Sequence, residues 1–283
     1  MRSRIVRWPV SPTPLAANSW RTRMRLWLQR LLAPVCCFAL CTALQAETIT
    51  VAAAADLKFA MDEIVAAFET SSPADHIEVV FGSSGKLQTQ IQQGAPFDLY
   101  FSADIELARR LAEAGFAASG VKPYALGRIV LWSASLDATR MTLEALADPA
   151  ITRIAIANPQ HAPYGKRAEE ALRASGLWEK VESKLVFGEN IAQTAQFVET
   201  GNAQVGILAL SLAKSPPLAK KGGFWLVPVS LHAPLAQGFI VTKRAGNKAL
   251  AHRFATFIES PAARAAMTRY GFELPGEVAA AGH

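Results

Sequence analysis

The sequence predicts an α/β protein whose body divides into two lobes. Three observations carry this. Short apolar, β-branched runs alternate with amphipathic helical segments along the body, the pattern of parallel strands joined by crossover helices. Four of the strand-to-helix turns are built from small or polar residues: Ala55-Asp56, Ser83-Ser84-Gly85, Tyr164-Gly165 and Asn190-Ile191-Ala192. Two of them precede residue 125 and two follow it, so a ligand held by all four would lie between two lobes, beyond the carboxyl ends of the strands. A chain of 283 residues is long enough to give each lobe a core.

The first 46 residues stand apart. They contain seven arginines (Arg2, Arg4, Arg7, Arg21, Arg23, Arg25, Arg30) and no acidic residue. Residues 24–30 form a positive start. Residues 31–44 form an apolar run too short to span a bilayer comfortably. Leu44-Gln45-Ala46 then offers a small residue, and cleavage of this secretory signal is expected after Ala46. Residues 1–23 fit no targeting pattern, and Met24 offers an alternative start of translation. All three cysteines, Cys36, Cys37 and Cys41, fall in the leader, so the mature chain is expected to have no disulfide framework and no thiol chemistry. Leu40, directly before Cys41, is a poor site for lipid attachment.

The net charge of +6 and a pI near 9.4 would suit a nucleic-acid partner. The distribution does not. With the seven leader arginines set aside, 22 basic and 23 acidic residues remain. A nearly neutral body without a basic stripe excludes nucleic acid.

Taken in order, residues 48–53 predict a strand and residues 57–68 a helix, with Asp56 placed as its N-cap. Residues 77–81 predict the second strand. Leu87 and Ile91 follow at helical spacing, and Gly94 stops that helix. Residues 96–104 predict a third buried strand ending in polar residues, and Asp104 is placed to cap a helix that ends at Gly115. Later strands are expected at 127–133, 153–157, 183–187, 204–209, 225–229 and 237–242. Helices are expected at 142–147, 166–174, 191–200, 248–259 and 261–270, with an exposed loop around Pro216-Pro217 and Gly222-Gly223. The tail after Gly276 is expected to be disordered.

The turn Gly82-Ser83-Ser84-Gly85-Lys86 has the composition of an anion cradle. Free N–H groups and the positive end of the helix dipole meet there, small residues allow close approach, and hydroxyls add neutral donors. The same residues also suit an ordinary helix cap, and alone the motif is weak. Ser84, His161 and Asp98 could be assembled on paper into a hydrolytic triad, but no G-x-S-x-G pattern is present. His76, His232 and His252 lack ligand spacing, so no metal-cation site and no catalytic residue is expected.

Seen together, several stretches resemble the periplasmic molybdate-binding proteins of ABC importers. They are residues 50–57 (TVAAAADL), 81–87 (FGSSGKL), 94–104 (GAPFDLYFSAD), 158–165 (NPQHAPYG), 205–207 (VGI) and 269–272 (RYGF). The resemblance covers essentially all of 47–274. It implies the two-lobed type II periplasmic binding protein fold with a hinge and an interlobe cleft. The lobes would be residues 47–126 plus 238–283 and residues 127–237. It also implies capture of molybdate or tungstate without any cofactor, delivery to a membrane permease, a periplasmic location and a monomer.

Carried over residue by residue, the resemblance implies oxyanion contacts at Ser84, at Tyr164 and at the backbone of Ile191, with Ala55, Asp56 and Gly85 completing the turns. Molybdenum would enter only as the oxyanion held at Ser84, Tyr164 and Ile191. Two departures stand out. The first turn offers Ala55 and Asp56 where the family has a hydroxyl or amide donor. Ala209 replaces a late tyrosine, whose hydroxyl Tyr164 is expected to supply. Asp56 is expected to turn away as an N-cap, because a carboxylate facing a dianion is repulsive. Lys58 and Lys86 are candidates for a compensating charge. Sulfate, phosphate or an organic anion on the same fold stays open as an alternative ligand, as does, more remotely, a hydrolase.

Overall fold

A computed structural model describes residues 47–276. The signal segment, its cleavage point, the three cysteines and the tail beyond Gly276 lie outside the described residues. The chain there forms two five-stranded sheets, and both are mixed where the alternation predicts parallel strands.

The first sheet begins with β1 (Thr48–Ala54), followed by α1 (Lys58–Ser71), β2 (His76–Gly82), α2 (Ser84–Gln92), β3 (Leu99–Ser102), α3 (Ile105–Glu113) and β4 (Lys122–Gly127). The chain then crosses to the second sheet. It forms β5 (Ile129–Ser133), β6 (Ile154–Ala157), α4 (Pro163–Ala174), α5 (Trp178–Val181), β7 (Leu185–Gly188), α6 (Ile191–Glu199), β8 (Val205–Ala209), α7 (Leu210–Ala213), α8 (Pro216–Ala219) and β9 (Gly223–Leu226). It returns as β10 (Leu235–Val241) and closes with α9 (Ala249–Phe257) and α10 (Pro261–Arg269).

The strand orders are β2-β1-β3-β10-β4 and β7-β6-β8-β5-β9. In the first sheet β1 pairs in parallel with β2 and β3, while β10 runs antiparallel between β3 and β4. In the second, β6 pairs in parallel with β7 and β8, while β5 runs antiparallel between β8 and β9. The antiparallel strands are those next to the chain crossings: a chain that leaves one sheet and enters the other reverses its sense relative to the βαβ units.

The expected strand at 127–133 is therefore two strands that break at Arg128. β4 escaped prediction because Pro123 interrupts its pattern. The strand lies at the sheet edge, where a missing N–H costs no ladder bond. The expected helix at 142–147 is a 3-10 turn (Leu143–Ala147). The helix expected from Lys166 begins earlier, with Pro163 in its first turn. The expected loop at Pro216-Pro217 is the short helix α8, again with proline at its start. β9 starts two residues before the expected strand, and Val229 lies in a 3-10 turn.

Packing follows the alternation. Ala60, Met61, Ile64 and Phe68 of α1 bury one face against the first sheet, and Phe68 sets its ring edge-on to Phe254 at 5.2 Å. Phe101 and Phe239 stack across β3 and β10 at 4.8 Å. The second core gathers Trp132, Ile156, Leu172 and Ile207, all fully buried. Among the described residues, no helix is long and apolar enough to cross a membrane.

Candidate functional site

The carboxyl ends of β1 and β2 and the starts of α2, α4 and α6 converge on one small cavity. Ala54, Ala55, Asp56, Ser83, Ser84 and Ala103 wall it from the first sheet, and Ala162, Pro163, Tyr164 and Ile191 from the second. No lysine, arginine or histidine lines it. The wall is therefore neutral donors, one carboxyl group and methyl surface.

Ser84 opens α2 and is buried at 1 % exposure. Its Oγ accepts the N–H of Ala103 at 3.0 Å, and its carbonyl accepts the hydroxyl of Tyr100 at 2.8 Å. With the oxygen fixed by an incoming N–H, the Ser84 hydroxyl proton remains to donate. Ile191 begins α6, where the side chain of Asn190 accepts from the N–H groups of Ala192 and Gln193. The cap leaves the Ile191 N–H as the uncapped donor of that helix start. Asn190 and Asp104 are both caps, as the sequence predicts.

Four expectations need correction. Asp56 is not an N-cap: it lies in a buried 3-10 turn (Ala55–Leu57), and α1 starts after it with Leu57 at the cap position. Gly85 is not an anion donor. Its N–H donates to the His161 carbonyl at 2.9 Å, and a Cβ at that position would lie 2.6 Å from the same oxygen. Lys58 points outward, paired with Asp62 at 2.6 Å and lying over the Phe81 ring. Lys86 pairs with Glu189 across the cleft mouth and is half exposed. In both lysines the stem is too well solvated to be drawn into an apolar-walled cavity when a carboxylate is nearer.

Tyr164 lines the cavity as expected, but its hydroxyl is engaged. It donates to Asp56 Oδ2 at 3.0 Å and accepts from Gln237 Nε2 at 3.1 Å. Because Pro163 has no N–H, the backbone N–H of Tyr164 is the first donor of α4. Gln237 Nε2 also donates to Asp56 Oδ2 at 2.9 Å, while its Oε1 accepts from the Tyr124 hydroxyl at 2.6 Å. Ser211 Oγ donates to the Asp56 carbonyl at 2.8 Å. The backbone of Gly127 passes so close that a Cβ there would lie 2.3 Å from the Tyr164 hydroxyl.

Burial pushes Asp56 up from 3.8 to about 6, against the opposing pull of the Gln237 and Tyr164 hydrogen bonds and of the Asp56 and Leu57 backbone N–H groups. Neither backbone group reaches hydrogen-bonding geometry, and Oδ1 of Asp56 has no partner among the described residues. Burial, followed by the adjoining Asp56 charge, holds Tyr164 and Tyr124 well above the ordinary phenol range.

Gln237, Tyr124 and Ser211 escaped the sequence reading. The one available signal was Gln237 itself, a lone polar residue inside the apolar run LAQGFIV of β10. The paper triad does not form. His161 Nδ1 meets Ser83 Oγ at 2.9 Å, not Ser84, and Asp98 binds the Thr50 N–H and Lys248 on the far side of the sheet. Burial lowers the pKa of His161, with Glu189 opposing. Among the described residues no cluster of His, Cys, Asp and Glu could hold a metal ion.

Residues 49–273 match the family model described as bacterial extracellular solute-binding protein. The chain is 37% identical over 230 residues to the molybdate-binding protein ModA of Rhodobacter capsulatus, covering 80% of this chain and 88% of that one. It is 34% identical to the protein of the same name from Azotobacter vinelandii, covering 89% of this chain and 100% of the relative. Among solved structures, the periplasmic molybdate-binding protein of Azotobacter vinelandii superposes with a TM-score of 0.76 at 30% identity, covering 80% of this chain and 99% of that one.

Proposed function

The chain belongs to the bacterial extracellular solute-binding proteins, among relatives that bind molybdate, and from that premise we propose that it is the molybdate-capturing component of an ABC importer. It is a binding protein and not an enzyme, and it works without a cofactor. Molybdate, and with it tungstate, is held in the cavity between the sheets and passed to a membrane permease. The protein acts as a monomer in the periplasm after removal of the leader at Ala46. The lobes are residues 47–127 with 235–276 and residues 129–234, a few residues from the expected boundaries at 126/127 and 237/238, and the crossings at Arg128 and before Leu235 join them.

One observation carries this reading: a small cavity walled by donors from both sheets and by no cation. A dianion loses its hydration shell on burial, and preorganised N–H and O–H groups can replace that shell without a counter-charge. Helix starts add favourable dipole terms of roughly 0.3–1 kcal/mol each. The Ser84 hydroxyl, the Tyr164 and Ile191 N–H groups and the Ala55 turn supply this set. Selection against sulfate rests on size. A smaller tetrahedron leaves donors unpaired, at about 1–3 kcal/mol each.

The test is a tryptophan-fluorescence or calorimetric titration with molybdate, tungstate, sulfate and phosphate. Saturable binding of molybdate and tungstate with little response to sulfate supports the reading, and a response to phosphate alone overturns it. Ser84→Ala is expected to weaken molybdate binding by about 1–3 kcal/mol, roughly 5- to 150-fold in Kd. An unchanged Kd in that variant would remove Ser84 from the contact set.

A further inference from the structure

Asp56 is the one cavity-lining group whose chemistry opposes a bound dianion, and its geometry resolves the conflict. Two donors converge on Oδ2, the Tyr164 hydroxyl and Gln237 Nε2. The orientation of the Gln237 amide is fixed from behind, because its Oε1 receives the Tyr124 proton. With both donors converging on Oδ2, that oxygen is the acceptor and Oδ1 is left for a proton. That oxygen is buried, unpartnered and part of a residue that lines the cavity.

We propose that Asp56 binds the oxyanion as a neutral acid, donating an Oδ1–H hydrogen bond to it, so that each dianion is captured together with one proton. The inference rests on the oxyanion-binding reading above. The proton comes from solvent when the ligand is bound and returns there when it leaves, and no covalent bond changes. A carboxyl group in this role does what a hydroxyl or amide donor would do at the same turn, but only while it is protonated.

The surroundings favour this role. The titratable groups facing Asp56 are Tyr164 from α4 and Tyr124 from β4, both kept neutral. No charged side chain faces it from α1, α6, α7 or β10. Lys58 and Lys86, the cations near the turns, are paired with Asp62 and Glu189. Without a cation to stabilise the carboxylate, and with burial holding its pKa near 6 before any ligand arrives, a dianion beside it raises the proton affinity further. Capture at neutral pH therefore draws a proton in.

The experiment is calorimetric titration with molybdate, which stays a dianion throughout, from pH 5.5 to 8.5 in buffers of different ionisation enthalpy. The expected result is a Kd that is flat near pH 5.5 and rises towards tenfold per pH unit above about pH 6, with close to one proton taken up per ion at pH 8. Asp56→Asn presents an amide N–H where the acid proton stood and keeps an oxygen for Tyr164 and Gln237. It is expected to bind with a single Kd across the range and without proton uptake. Saturable binding with a pH-independent Kd and no proton uptake in the unaltered protein overturns the inference and leaves the molybdate reading standing. Preference for phosphate, tightening as pH rises, also overturns it, because the carboxylate would then accept a proton from the ligand. Absence of binding to molybdate at every pH overturns both.

Discussion

Asp56→Asn is expected to stabilise the ligand-free protein by about 3 kcal/mol above pH 6 and to have no effect below pH 4. In the unfolded chain Asp56 loses its proton near the ordinary value of 3.8, whereas in the folded protein it keeps it to about 6. Between these values the folded state holds the extra proton, so raising the pH through this window destabilises it. Above about pH 6 both states are ionised and the loss is constant. The rise from 3.8 to about 6 corresponds to about 3 kcal/mol at 1.36 kcal/mol per pH unit. Asparagine has the same shape and no charge to bury. Urea denaturation of both proteins at pH 4, 6 and 8 measures the difference directly, since every other titrating group cancels between them. Equal stability at pH 8 would show that the buried carboxyl carries no such cost. A gain of this size would mark Asp56 as a residue whose presence lowers stability, as groups kept for a site do.

Gly165→Ala is expected to cost about 3 kcal/mol or more of stability and to abolish oxyanion binding with it. A Cβ on Gly165 would lie 1.9 Å from the Ala157 carbonyl oxygen, 2.5 Å from its carbon and 3.0 Å from the carbonyl carbon of Asn158. All three are backbone atoms, at the end of β6 and just beyond it, and none can swing aside as a side chain would. The only relief is for α4 to withdraw from the sheet. Tyr164 and Ala162 sit in the same first turn, so the movement would open the cavity wall and pull the Tyr164 hydroxyl from Asp56. Gly120→Ala is the matched control. Nothing lies within 4 Å of its Cβ position, and its effect is expected within about 0.5 kcal/mol. Chemical denaturation and a molybdate titration on the two variants decide the matter. A Gly165→Ala protein as stable as the parent would mean that the close approach is not rigid.

The alternation of strands and helices was legible because it is local, written in periods of two and 3.6 residues. The four turns were legible for the same reason, since small residues at strand ends and capping groups at helix starts are short-range signals. The mixed character of the sheets was not legible. It follows from where the chain crosses between them, and a local pattern at 127–133 reads as one strand although Arg128 divides it between two sheets. The site was legible in its backbone parts and misleading in its side chains. Ser84 and Ile191 each open a helix, which sequence shows. Asp56 has the residue type of a helix cap, and only the fold brings Gln237, 181 positions away, and Tyr164, 108 positions away, onto its carboxyl. The lysines misled in the opposite sense, because sequence shows a charge near a turn but not the carboxylate that holds it outward.

The contacts that close the cleft mouth have a consequence for the resting state of the molecule. They are the Gly85 N–H to the His161 carbonyl, Ser83 Oγ to His161 Nδ1, and the half-exposed Lys86–Glu189 pair. Bonds of these kinds contribute roughly 0–1.5 kcal/mol each. Each of these rim bonds can be exchanged for a bond to water at small cost, whereas the Tyr164 and Ser211 bonds to Asp56 tie the same two walls together deeper in, away from solvent.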